Sequence, residues 1–169
     1  MNNKKWSIVV FSVFLAFSSN IYSGNRYEVN SLRGLKGVHV LVAKLPPDFE
    51  GNLTREQIQT DVELKLRLVG IKVVSEKEQF SMPGRPYLYV TVCGVKTFTE
   101  GVAWQIDIQL SQDVYLERDP KISVDATTWS VGRGGFLGKM KIEEIRNEVK
   151  DLVDQFINDY LSVNPKGEK

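Results

Sequence analysis

The sequence contains one cysteine, Cys93, and one histidine, His39. A thiolate nucleophile needs a base within hydrogen-bond reach and a third group that orients the base. If the strands carrying Val38-His39-Val40 and Val92-Cys93-Gly94 were neighbours, the two side chains could meet on one sheet face. That keeps a Cys/His hydrolase as a remote alternative. Nothing in the sequence marks the third group or an oxyanion hole, so the plainer reading is a small half-buried thiol and a surface imidazole. A single Cys excludes an intrachain disulfide and a multi-cysteine zinc site, and a single His excludes a histidine cluster. No catalytic set, metal or cofactor is expected.

A second place to look for chemistry is the glycine-rich run Gly132-Arg133-Gly134-Gly135-Phe136-Leu137-Gly138, between a strand and a helix. Phosphate loops occupy such places. Here the spacing before Gly138-Lys139 is one residue short of a P-loop, and Met140 stands where Ser or Thr would bind magnesium. Leu137 stands where a dinucleotide fingerprint needs its third glycine. The run is therefore expected to be a flexible connection, a mobile loop in which Arg133, Phe136 and Leu137 offer contacts to a partner.

The third candidate is a surface. Residues 104–117 alternate without a break through Ser111: Trp104, Ile106, Ile108 and Leu110 on one parity, Gln105, Asp107, Gln109 and Ser111 on the other. A clean period of two predicts one buried and one wet face. Tyr87, Tyr89, Tyr115 and Trp129 all take the wet parity of their predicted strands. Aromatic rings beside amides and a carboxylate suit a protein partner, a glycan or a small ligand. The candidate binding surface is Tyr87, Tyr89, Gln105, Asp107, Gln109, Tyr115 and Trp129, with a protein partner as the first reading and a small ligand or glycan as the alternative.

These residues must be positioned by regular elements. The run 37–44, GVHVLVAK, is β-branched and stopped by Pro46-Pro47, which predicts a first strand. Thr54-Arg55-Glu56-Gln57 is a capping box, and Ile58, Val62, Leu66 and Val69 recur at helical spacing up to Gly70. A short second strand is predicted over 71–75, then a polar loop over 76–86. Three longer strands follow: 87–98, one centred on 104–116, and a fifth reaching about Val131, with Ile122, Val124 and Ala126 pointing inward. A last helix spans about 141–161, its stripe formed by Ile142, Ile145, Val149, Leu152, Val153, Phe156 and Tyr160. The expected fold is α+β, a two-layer sandwich of order β-α-β-β-β-β-α. Its mixed sheet contains an antiparallel meander and carries two helices on one face.

Outside that domain, residues 1–23 read as a signal peptide. Lys4 and Lys5 precede a 12-residue apolar run, Trp6 to Phe17, too short for a membrane span of about 20 residues. Residues 24–36 are a lead-in segment, 37–163 the single domain and 164–169 a tail. No transmembrane anchor is expected after cleavage. The whole chain has 169 residues, 22 basic and 21 acidic; loss of Lys4 and Lys5 leaves 20 against 21. Such a balance gives no electrostatic reason to bind nucleic acid. A chain that is 42% hydrophobic and 25% charged is globular, and an exported domain with one cysteine suits a bacterial periplasm or exterior.

Leu32-Arg33-Gly34, the helix ending at Gly70 before Ile71-Lys72-Val73-Val74, the long hairpin and the C-terminal helix together resemble small periplasmic envelope-assembly domains. The similar ones are the lipopolysaccharide-assembly lipoprotein type and the TolB N-terminal-domain type. The lipidated cysteine of the lipoprotein type is absent from this sequence. The resemblance implies an exported, non-catalytic periplasmic accessory of envelope assembly, partnered by an envelope protein or by itself.

Overall fold

The computed structural model describes residues 25–49, 53–96, 101–137 and 142–165. The predicted signal peptide, the end of the third predicted strand at Phe98, Gly138-Lys139 and the predicted tail beyond Pro165 lie outside the described residues. Alternating apolar residues build the sheet. Val38, Val40 and Val42, then Leu88, Val90 and Val92, then Trp104, Ile106, Ile108 and Leu110 are all buried, and the period of two puts them on one face. The strands are β1 (His39–Val42), β2 (Tyr87–Lys96), β3 (Val102–Leu116) and β4 (Asp119–Leu137), in spatial order β1-β2-β3-β4. β1 runs parallel to β2, with His39 opposite Tyr87, and the other pairs are antiparallel.

Helix α1 (Arg26–Ser31), a single 3-10 turn (Pro47–Phe49), α2 (Arg55–Leu68), the short α3 (Glu76–Gln79) and α4 (Ile142–Val163) complete the described elements. The Thr54 capping box forms as the sequence predicts: Thr54 Oγ1 accepts from the Gln57 N–H, and Gln57 Oε1 accepts from the Thr54 N–H. Gly70 follows the helix at φ +87°, a conformation that costs glycine little. The α2 residues Ile58, Val62 and Leu66 and the α4 residues Ile145, Val149, Leu152, Val153 and Phe156 are buried against the sheet. Arg146 of α4 holds Asp61 of α2 in a fork of two 2.9 Å bonds, which fixes one helix against the other. The result is the α+β fold with a mixed sheet that the hydrophobic pattern predicts.

Several local expectations are corrected. The predicted second strand contributes only a parallel bridge, Val73 to Val38. The lead-in segment holds α1, capped by Asn25, and the predicted loop 76–86 holds α3, capped by Ser75. The glycine run is no flexible connection. β4 continues through it to Leu137, pairing Gly132 with Asp107, Gly135 with Trp104 and Phe136 with Ala103. A Cβ on Gly135 would lie 2.9 Å from the Trp104 ring, so the missing side chain is what lets that indole lie flat on the sheet. Arg133 points at α4, where it meets Glu148 at 2.6 Å. Leu137 lies in the strand, opposite Val102.

The largest correction concerns Trp129. It is 1% exposed and belongs to the core, not to the open face. The register shows why: Leu110 pairs with Trp129 but Ser111 pairs with Thr127, so Thr128 is an extra residue in β4. One extra residue flips every later side chain to the other face. Ile122 and Val124 precede the bulge and share the face of Val114, yet they are 42% and 36% exposed because their part of the hairpin outruns the rest of the sheet. Trp129 Nε1 donates to Asp159 at 2.9 Å, and its ring meets Phe156 edge-on at 5.0 Å. Trp129→Ala is expected to lower the unfolding free energy by about 3–5 kcal/mol. Tyr115→Ala, at a side chain 70% exposed, is expected to stay within about 0.5 kcal/mol. Urea denaturation of the two variants decides; equal, small effects would refute the buried placement of Trp129.

Candidate functional site

On the face away from α2 and α4, pairing brings together four rows. His39, Tyr87, Ser111 and Thr127 form one, and Leu41, Tyr89, Gln109 and Ser130 the next. Thr91, Asp107 and Gly132 follow, then Cys93, Gln105 and Gly134. Five of the seven predicted binding residues, Tyr87, Tyr89, Gln105, Asp107 and Gln109, therefore share this surface. Tyr115 shares it only at the far end of the hairpin, beside Ser123, and Trp129 does not share it.

The open-face polar groups are largely occupied with one another. Gln105 Nε2 donates to Asp107 at 2.9 Å, and the Asp107 carboxylate sits where Gly132 has no side chain. Gln109 accepts weakly from Thr127, at 3.4 Å. A carboxylate bonded to one amide, and a second amide oxygen bonded to a threonine, leave less for a glycan to bind. Cys93 is exposed. It lies six residues beyond Tyr87, the partner of His39, so the thiol and imidazole stand about 20 Å apart along the strand. The Cys/His pair is not assembled, and His39 Nδ1 is instead 3.1 Å from the Val74 carbonyl oxygen.

The concave part of this face is a trough of about 640 Å³ at the start of β1 and β2, a volume within the usual range for ligand pockets. His39, Leu41 and Tyr87 contribute from the strands, Arg55 and Gln59 from α2, Glu76, Gln79 and Phe80 from α3 and its end, and Asp113 and Asp125 from the hairpin. Sequence reasoning found only Tyr87 as a binding residue here. Arg85 is the residue most instructively missed. It sits in the turn Pro83-Gly84-Arg85-Pro86 with φ +43°, the one non-glycine residue with positive φ among the described residues. Such a backbone costs about 1–3 kcal/mol and persists only where its surroundings enforce it. Its guanidinium forks onto Asp113 at 2.5 and 2.8 Å, and its carbonyl accepts from the buried Gln79. The Pro-Gly-Arg-Pro run was the sequence signal for the turn; the carboxylate that holds it is 28 residues away in the sequence.

Asp113 and Asp125 stand directly opposite each other on the hairpin, an unfavourable arrangement for two negative charges. Two neighbours relieve it. The Arg85 fork holds the Asp113 carboxyl below its ordinary value. The Tyr87 hydroxyl reaches across β3 and donates to Asp125 at 2.9 Å. That reach also explains why Ser111, predicted to be wet, is only 6% exposed. Burial first, and the bond to Asp125 second, push the Tyr87 hydroxyl above its ordinary pKa.

No protein-family model and no curated protein matches the sequence. Among solved structures, a PelC dodecamer from Paraburkholderia phytofirmans is similar at 12% identity, over 82% of this chain and 96% of that one, with a TM-score of 0.47. A minor lipoprotein from Acinetobacter baumannii is similar at 14% identity, over 77% and 94%, with a TM-score of 0.36. At these identities and TM-scores neither similarity carries a family, a site or an activity to this chain. Among the described residues no helix is long and apolar enough to cross a membrane, and no group of three or more metal-binding side chains is present.

The raised Tyr87 value has a measurable consequence. An unfolded tyrosine ionises near pH 10, so the neutral phenol is favoured by folding. Tyr87 therefore contributes stability that is complete below that pH and declines as pH rises through the folded value. Ultraviolet titration, with Tyr87→Phe subtracted, is expected to show Tyr87 ionising later than an ordinary tyrosine. Asp125→Asn is expected to bring it only part-way back, because burial remains the larger cause. An ordinary titration in the unmodified chain would contradict the bond across β3.

Proposed function

We propose that this chain is an exported, non-catalytic envelope protein that binds a protein partner at the uncovered face of its sheet, as an accessory of envelope assembly. The observation that carries the proposal is the trough. It is built by side chains from α2, β1, α3, the turn before β2 and the β3–β4 hairpin, and Arg85 and Tyr87 are held by bonds to Asp113 and Asp125 on the distant hairpin. A shaped surface fixed by that many elements is pre-organised, which lowers the ordering cost of binding. The separation of His39 from Cys93 supports binding over thiol catalysis. The basic-then-apolar order of residues 4–17 supports export. A protein partner is favoured over a glycan because the face offers an aromatic rim, Tyr89 and Phe80, while its amides are engaged internally.

Photo-crosslinking in living cells tests this reading. A photoreactive residue at Leu41 or Tyr89 is expected to give the same discrete adduct, and one at Leu68, 75% exposed on the outer side of α2, is expected to give none. Tyr89→Glu should diminish the Leu41 adduct while leaving the circular dichroism unchanged. Equal adducts from all three positions, or none from any, would overturn the proposal.

A further inference from the structure

β4 is the last strand of the sheet, and part of its outer edge carries backbone groups in contact with solvent. Two bonds fix which way each residue turns. The Asp113 N–H donates to Gly84, on the β2 side of β3, at 2.7 Å, and the Leu110 carbonyl accepts from Thr128 Oγ1, on the β4 side. N–H and C=O groups alternate sides along a strand, so Trp104, Ile106, Ile108 and Leu110 bond to β4. Their partners Gly135, Arg133, Val131 and Trp129 turn inward, and Ser130, Gly132, Gly134 and Phe136 turn outward. The outward carbonyl of Thr128 is taken by Ser31 of α1. Past it, the outward groups of Gly132, Gly134 and Phe136 have no hydrogen-bond partner among the described residues. Gly134 is exposed; glycine has only backbone atoms, so water reaches the pairing groups themselves. Phe136, two residues on, is 54% exposed.

Edges of this kind are usually blunted by lysine, proline, a bulge or an unmet charge. From Ser130 to Leu137 the sequence holds no lysine or proline, and the pairing with β3 from Trp129 onward has no register shift. The only charge, Arg133, faces α4 and is met by Glu148 at 2.6 Å. What fits this edge is the same edge of a second copy, laid antiparallel about a two-fold axis. An axis at Arg133 would set the two guanidinium groups opposite each other, which is unfavourable. An axis at Gly134 would lay each Phe136 over Gly132, where the Asp107 carboxylate already fills the place of a side chain. An axis at Gly135 lays the Phe136 of each copy over the Gly134 of the other. There the nearest atoms to a side chain would belong mainly to the β3 backbone, at 3.2 Å and beyond, so the ring has room above them. The two rings are then diagonal neighbours, within reach of each other.

We propose that the chain forms a two-fold dimer in which β4 pairs antiparallel with β4 of a second copy about Gly135. Gly134 of each copy exchanges both backbone bonds with Phe136 of the other, and each exposed ring gains a glycine to lie on. The two four-stranded sheets become one continuous sheet, of a size that open sheets commonly reach. All the large helices stay on one side of it. The troughs, at the β1 ends, open on the other side, where a partner with a repeated site would be held twice. β4 is the edge away from the trough, so the dimer does not depend on the partner-binding reading.

Sedimentation equilibrium of the purified chain, from micromolar to millimolar concentration, is expected to show a monomer–dimer equilibrium. Amide exchange at Gly134 and Phe136 should slow as the dimer fills, because both N–H groups gain acceptors. A nitroxide on the exposed native Cys93 reports the geometry. From β2 the path to its twin crosses β3, both copies of β4 and the second β3, five strand spacings, so the interspin distance should centre on roughly 25 Å. Phe136→Lys is expected to weaken the dimer by more than about tenfold, since two rings are lost and two charges meet. Its melting temperature in dilute solution should match that of the unmodified chain. Val95→Lys, 60% exposed on the same face but two strands from the edge, should leave dimerisation unchanged. A monomer at every concentration overturns the proposal. So does a dimer that leaves the Gly134 and Phe136 amides unprotected, one with a clearly different Cys93 distance, or one that the two lysine substitutions weaken equally. Partner crosslinking from Leu41 and Tyr89 by a chain shown to be monomeric would sink the dimer while the partner-binding reading stands.

Discussion

Thr128 is one residue too many for a regular β4, and much of the structure follows from it. Because Leu110 faces Trp129 while Ser111 faces Thr127, the strand changes face at that point. Trp129 and Val131 enter the core, and the backbone carbonyl of Thr128 is turned out, where Ser31 of α1 donates to it at 3.0 Å. Docked there, α1 delivers Leu32, fully buried, to the core. Asn164, at the end of α4, then closes the same corner by donating to the Leu32 carbonyl at 2.9 Å and accepting from the Gly34 N–H at 2.8 Å. A bulge is normally a local distortion; here it is the point where both ends of the described chain are tied to the sheet.

The opposite face owes its character to what does not cover it. α2 and α4 place their apolar stripes on one side of the sheet, so the side bearing Tyr87, Tyr89 and Asp107 is left to polar and aromatic groups. Those groups are not idle. Tyr87, Arg85, Asp113 and Asp125 form one connected set in which two opposed carboxylates are held by a guanidinium and a phenol. That set braces the turn before β2 against the hairpin and gives the trough a fixed wall. Its other wall comes from α2 and α3, and between them the chain's own short extension, Lys72–Val74, stops one residue along the β1 edge. The pairing stops there because α3 is capped at Ser75, which turns the backbone away.

Local chemistry made much of this legible in the sequence. The Thr54 box, the stripe Ile58-Val62-Leu66 and Gly70 identify α2 because all three signals arise within one helix and need no distant partner. The uninterrupted alternation of 104–110 identifies β3 and its buried face for the same reason. The glycine run misleads because glycine is a weak strand former. In β4 its absent side chains are what the neighbours require: Trp104 lies over Gly135 and Asp107 over Gly132. Trp129 misleads because parity can be counted only as far as the next bulge, and the residues around Thr128 carry no local mark of one; Ile122 misleads because its face is the predicted one but its part of the hairpin runs past the rest of the sheet. The trough is the least legible part, since Arg85 and Asp113 or Gln59 and Phe80 are brought together only by strand order.

By itself the sequence determined the elements and their faces: hydrophobic spacing dictates which stripe of a helix or side of a strand must leave water, and caps and glycines dictate where a helix stops. The tertiary structure alone decided the register between strands, hence the bulge, the burial of Trp129 and the meeting of α2, α3 and the hairpin around the β1 edge. Those features depend on contacts between residues far apart along the chain, whose energies appear only once the sheet has closed.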